Sequence, residues 1–184
     1  MLLLLLACHS DPFSKPGPDP SSSTSTSEGA PPLLVPAPRL LEQHEGSFLL
    51  DTETVVDAGP GTDAVAAQLL EELQTPTGLP LPLAASEQNR IRLIVADDIT
   101  TAEGYILDVD DSGVTIQAAD DDGLYWGVQT LRQLLPPEAL NAEPVAGVAW
   151  RLPQVHIEDA PRFPERDRKS TRLNSSHLVI SYAV

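Results

Sequence analysis

The sequence predicts an α+β fold: a largely antiparallel β-sheet with two α-helices packed on one face. Two patterns carry that prediction. Between roughly residues 40 and 160, short runs alternate apolar and other residues with a period of two, as half-buried strands do. Two longer stretches repeat apolar residues every three or four positions, as amphipathic helices do. Composition agrees. Hydrophobic residues at 41% can supply a core, while 18 prolines and 11 glycines are too many for a plain helical bundle.

Residues 47–50 and 54–56 are short β-favouring runs. Thr62 or Asp63 is placed to cap a helix that runs to about Gln74. Within it Val65, Leu69 and Leu73 recur every four residues, and Ala66 and Leu70 widen the stripe. Thr75-Pro76-Thr77-Gly78 is expected to end the helix, and Pro80 and Pro82 to keep the next stretch irregular. Three strands follow. Ile91, Leu93 and Val95 define the first, Tyr105, Leu107 and Val109 the second, and Val114, Ile116 and Ala118 the third. Asp110-Asp111-Ser112-Gly113 reads as a hairpin loop joining the last two. Leu124, Val128, Leu131 and Leu135 mark a second amphipathic helix, stopped by Pro136-Pro137. Val155 and Ile157 form a last alternation, leading to Asp159-Ala160-Pro161-Arg162-Phe163-Pro164.

The 184 residues carry 27 acidic against 11 basic side chains, a formal charge of −16. A surface so acidic repels phosphate backbones, which argues against nucleic acid as a partner. Aromatic residues at 4% offer no platform for stacked bases. One cysteine excludes a disulfide framework and a Cys-rich zinc site. No run of roughly 18 apolar residues reads as a membrane-spanning helix.

The two ends are expected to lie outside the fold. Residues 1–8 read as a truncated signal segment, and Leu5-Leu6-Ala7-Cys8 resembles a bacterial lipobox. That resemblance implies lipidation of Cys8 and a lipid-anchored place in the bacterial cell envelope, the anchor being the only contact with membrane. Residues 9–36 read as a disordered Pro/Ser/Thr tether, because such a segment buries too little apolar surface to offset its chain entropy. At the other end, residues 167–177 (DRKSTRLNSSH) and 180–184 (ISYAV) look like the conceptual translation of a sequencing adapter, with Leu178 and Val179 between them. The expectation is a non-native tail over 167–184 on a gene cut short.

Candidate chemistry is sparse. Asp108-Val109-Asp110-Asp111-Ser112-Gly113 matches the first half of a calcium loop, but Ala119 stands where a bidentate Glu belongs. Turn chemistry accounts for these residues without a metal. Asp120-Asp121-Asp122 precedes the second helix, where acids cap free N–H groups and favour the helix dipole. His44 and His156 have no ligand partner at useful spacing, and His156 alternates onto the strand face opposite Val155 and Ile157. No nucleophile elbow, phosphate loop or zinc-protease motif occurs.

Three stretches together resemble the non-catalytic N-terminal domain of family 20 glycoside hydrolases, the β-N-acetylhexosaminidases. They are Leu34-Val35-Pro36-Ala37-Pro38 with Gly46-Ser47-Phe48, then residues 103–134, and finally Ile157-Glu158-Asp159-Ala160-Pro161-Arg162-Phe163. In the middle stretch, Gly123 permits a tight turn into the helix and Gly127 lets the helix approach the sheet. The resemblance implies a domain over 37–158 and the start of a catalytic barrel at 159–166, with the catalytic Asp-Glu pair beyond this chain. Arg166 matches by position an arginine that contacts the terminal sugar, although Glu165 and Asp167 replace the Trp and Gly that usually flank it.

For the complete protein the resemblance implies release of terminal N-acetylhexosamine from β-linked glycans such as chitin. The substrate's acetamido group would act as nucleophile, and no metal or organic cofactor is implied. The 184-residue chain alone would be inactive. Its partner would be its own barrel, docked on an apolar surface expected on the sheet face away from the helices, with Tyr105 or Trp126 contributing. Two other readings remain open at this point. One is a stand-alone lipoprotein module that binds glycan or a partner protein. The other is the same accessory domain in front of a different glycosidase.

Overall fold

A computed structural model of the protein describes residues 32–162. Cys8, most of the tether, Phe163, Arg166 and the tail over 167–184 lie outside the described residues.

Six strands and two helices appear in the order β1 (Leu40–Leu49), β2 (Val55–Ala58), α1 (Asp63–Thr77), β3 (Arg90–Val95), β4 (Tyr105–Asp110), β5 (Gly113–Ala118), α2 (Asp121–Leu134) and β6 (Arg151–Asp159). A 3-10 turn, Pro137–Leu140, follows α2. The sheet order is β1-β6-β4-β5-β3-β2. The pairs β1/β6, β6/β4 and β4/β5 are antiparallel, while β5/β3 and β3/β2 are parallel. The α+β class with a largely antiparallel sheet therefore holds; the parallel pair β3/β2 follows from the crossover through α1, and β5/β3 is parallel because the chain from β3 passes the β5 position to reach β4 and returns by the hairpin into β5.

Alternation sets the two faces. Leu107, Val109, Ile116, Ile91, Leu93 and Ile157 point towards the helices and are almost fully buried. Leu69 and Leu73 of α1 and Leu124, Val128 and Leu131 of α2 meet them. Each such side chain contributes roughly 1.5–3 kcal/mol of apolar burial. Gly127 is the contact point of α2: a Cβ there would lie 2.4 Å from Ile116 Cγ2. Gly123 is similarly confined, with the carbonyl of Gly104 at 2.6 Å from its notional Cβ.

Several boundaries differ from the expected ones for physical reasons. β1 begins at Leu40 rather than Ser47, because pairing with β6 holds residues 40–43 in register although their side chains lack alternation. A bulge between Gln43 and Ser47 contains Gly46 at φ 117°. α1 runs through Pro76 to Thr77 before Gly78 ends it in the left-handed conformation, its N–H donating to the carbonyl of Gln74. Thr62 occupies the N-cap of α1 without capping it, since its hydroxyl donates to the carbonyl of Gly59 at 2.9 Å. Residues 32–36, the last of the segment read as a tether, run along the domain, and Leu34 is buried in its core.

Candidate functional site

The acids singled out by sequence are occupied by structure. Asp110 Oδ1 accepts from the Ser112 N–H at 2.7 Å, the Ser112 hydroxyl at 2.6 Å and the Gly113 N–H at 3.2 Å. The hydrogen bonds from Ser112, more than any cation, hold its carboxyl below the usual range. Asp108 points elsewhere, to His156 Nδ1 at 2.6 Å. The calcium-like string is thus a β-hairpin whose three acids diverge, Asp111 Oδ1 accepting from Gln154 Nε2 on β6. Among the described residues no group of His, Cys, Asp and Glu is arranged to hold a metal ion.

Asp120 is the N-cap of α2, its Oδ1 accepting from the Gly123 N–H at 2.7 Å and its Oδ2 from the Glu103 N–H at 3.0 Å. One carboxylate so fixes both the helix start and the loop before β4. His44 sits exposed on the edge strand. His156 lies on the free face of the sheet, as its alternation predicts, and the hydrogen bond that its Nδ1 donates to Asp108 raises its pKa above the ordinary value. Asp108, Asp110, Asp120 and His156 each spend their hydrogen bonds on a turn, a helix cap or one another.

The free face of the sheet is polar. One row crosses all six strands: Glu42, His156, Asp108, Thr115, Arg92 and Asp57. Arg92 Nε lies 3.5 Å from Asp57 Oδ2. Ile106 and Ile94 occur in the next row, separated by Gln117. The apolar side chains of that row, Leu40, Ile106 and Ile94, are separated by Glu158 and Gln117, so they do not adjoin as the expected docking surface would require. Tyr105 points the other way, into the helix side, where burial pushes its phenol up to about 12. Its hydroxyl lies 2.6 Å from Thr130 Oγ1.

The concave feature of interest lies instead where the chain leaves the domain. A groove of about 500 Å³ runs between the strap formed by residues 34–38, the outer edge of α2 and residues 159–162. Tyr105 forms part of its floor, and Trp126, Gln133, Val35, Pro36 and Pro161 part of its walls. Trp126 is half-buried; its indole N–H donates to Glu103 Oε2 at 3.0 Å, and its ring meets Tyr125 edge-on at 5.0 Å. The Val35 N–H donates to Gln133 Oε1 at 3.0 Å, tying the strap to α2. Val35 itself is 77% exposed. Sequence reasoning missed this groove. Its one legible signal was the apolar Leu33-Leu34-Val35 inside a proline-rich stretch, too apolar for a tether.

Comparison with known proteins gives a consistent picture. The family model described as glycosyl hydrolase family 20, domain 2 matches residues 31–160. A β-hexosaminidase of Porphyromonas gingivalis is 30% identical over 138 residues, which cover 72% of this chain and 18% of the relative. A β-hexosaminidase of Vibrio vulnificus is 29% identical over 157 residues, covering 81% and 16%. The family 20 β-N-acetylhexosaminidase of Streptomyces coelicolor superposes with a TM-score of 0.64 at 35% identity, over 70% of this chain and 26% of that one. The chain therefore spans less than a fifth of the curated relatives it matches.

Proposed function

The chain belongs to glycosyl hydrolase family 20, of which it carries domain 2, and we propose that the protein it comes from is a β-N-acetylhexosaminidase whose catalytic barrel follows this domain. The observation that carries the reading is the match of the whole folded unit to an accessory domain. The fold agrees, since its acids serve turns, caps and ion pairs. The complete protein removes terminal N-acetylglucosamine or N-acetylgalactosamine from β-linked glycans. The substrate's own acetamido group is the nucleophile, which retains configuration without a carboxylate nucleophile and calls for no metal. The 184-residue chain is inactive alone. Arg166 contacts the terminal sugar, and Cys8 carries the lipid that anchors the protein to the cell envelope.

The test is to sequence source DNA past the codon for Arg166 and to assay both products. A frame that continues into a barrel with an adjacent Asp-Glu pair supports the reading. So does cleavage of a chromogenic N-acetylglucosaminide by the longer protein and not by the 184-residue chain. A native stop directly after residue 166, or codons for residues 167–177 in genomic DNA, would sink it.

A further inference from the structure

We propose that this domain is an ionic-strength-dependent fold, in which dissolved cations supply the charge balance that its own side chains leave open. The inference goes beyond the family reading above and does not depend on it.

Three observations carry it. The first is where the charge lies. Of the 27 acidic side chains in the sequence, residues 32–162 hold all but Asp11, Asp19, Glu28, Glu165 and Asp167. Of the 11 basic ones they lack Lys15, Arg166, Arg168, Lys169 and Arg172. As many acids as bases lie outside, so the whole formal charge of −16 is carried by the folded part. The second is that its arginines are already committed. Arg90, Arg92 and Arg132 lie 3.3, 3.5 and 3.3 Å from the carboxylates of Glu87, Asp57 and Glu72. Arg39 and Arg162 donate to backbone carbonyls, and Arg151 donates to the Ser47 hydroxyl. These are all the arginines among the described residues, which contain no lysine. The third is exposure. Asp97, Asp98, Asp121, Asp122 and Glu143 all stand in solvent, and the first four form two pairs of chain neighbours.

The sign of the salt effect follows. An excess of one charge opposes the compact state, because unfolding lets the like charges move apart. Exposed charges are the ones that dissolved ions screen: the Debye length falls from about 30 Å at 0.01 M salt to about 3 Å at 1 M. Salt also weakens attractions, here the three arginine–carboxylate pairs and the contact of Asp121 and Asp122 with the dipole of α2. Those attractions are few beside the acids that lack a cation. Screening therefore removes more repulsion than attraction, and salt stabilises the fold.

The test is thermal unfolding of the 184-residue chain at pH 7 in about 0.01 M and about 1 M sodium chloride. The expected result is a melting temperature several degrees higher in the stronger salt. The comparison is the double variant Asp97→Lys/Glu143→Lys, which reverses two exposed charges outside the core. It is expected to melt above the wild type at low salt and to gain less from added salt. The neutral pair Asp97→Asn/Glu143→Gln is expected between the two, and it carries the comparison by itself if the lysines disturb folding. A melting temperature that stays constant or falls with salt overturns the proposal. So does an equal rise in the wild type and the variants, because a general effect of salt on apolar burial would not distinguish them.

Discussion

Arg39 and Arg162 grip each other's surroundings: Arg39 donates to the carbonyl one residue before Arg162, and Arg162 donates to the carbonyl two residues before Arg39. A third bond closes the arrangement, from the Arg39 N–H to Asp159 Oδ1 at 3.3 Å. The segment leading into β1 and the segment leaving β6 are thus held together beside their antiparallel pairing. Local sequence could not show this, since the residues concerned are more than 120 positions apart.

Arg39→Ala removes the bond to Pro161 and keeps the backbone bond to Asp159. A single exposed hydrogen bond contributes roughly 0.5–1.5 kcal/mol. The expected outcome is a small change in melting and a clear rise in amide exchange confined to residues 34–38 and 159–162. Uniform exchange changes across the sheet would show that the clasp is not local.

Glu72 joins the two helices across their outer surface. Its carboxylate accepts from Gln68 Nε2 at 3.0 Å and Gln129 Nε2 at 2.9 Å, and lies 3.3 Å from Arg132 Nη1. Arg132 Nε is buried without a partner, so this guanidinium already lacks one bond. Glu72→Ala would remove its counter-charge as well. The expected cost is about 1–2 kcal/mol, read by urea unfolding, with Glu72→Gln recovering part of it. No change on Glu72→Ala would mean that the network is idle.

Two glycines should respond differently to alanine. At Gly113 the backbone has φ 143°, and a Cβ would lie 2.1 Å from the carbonyl oxygen of Arg90, an immovable part of the parallel β3/β5 ladder. Gly113→Ala should cost about 2–3 kcal/mol. At Gly127 the obstacle is one methyl of Ile116, and the helix gains intrinsic propensity from alanine. Overpacking of about 1–3 kcal/mol is offset there by about 1 kcal/mol. Denaturant midpoints that rank Gly127→Ala as the worse of the two would contradict this.

How much of this was legible in the sequence depended on range. Alternation over Tyr105, Leu107 and Val109 and the four-residue spacing of Val65, Leu69 and Leu73 located the core elements, because period alone assigns the buried face. The cap at Asp120 and the Asp110 turn were readable because the partners that define them, Gly123 and Ser112, lie within three residues; the bond from the Glu103 N–H to Asp120 was not. The groove, the clasp and the Glu72 network were not. Each joins residues distant in sequence, and none leaves a local pattern. The edge strand escaped over residues 40–45 because exposure removes the constraint that produces alternation.

The polar sheet face makes stability depend on pH in a stated direction. His156 faces Asp108 on β4 at 2.6 Å and Glu158 on its own strand at 3.3 Å, with Glu42 across from it on β1. Arg92, the cation of that row, is three strands away and paired with Asp57. Folding therefore raises the histidine pKa above 6.5. A raised folded pKa means that the stabilisation is complete below the unfolded value and is lost as pH rises through the folded one. Asp51 and Asp110 act in the opposite sense. Hydrogen bonds, led by those from Asn89 and Ser112, lower them below 3.8, so their contribution holds above that value and is lost as pH falls through the folded one. Melting temperature should consequently be highest between the two ranges. The difference between wild type and His156→Gln should shrink as pH rises from about 5 to 8. Asp108→Asn should weaken the same dependence, since it removes the closest carboxylate. Parallel melting curves for wild type and His156→Gln across that window would show that the histidine gains nothing from its carboxylates.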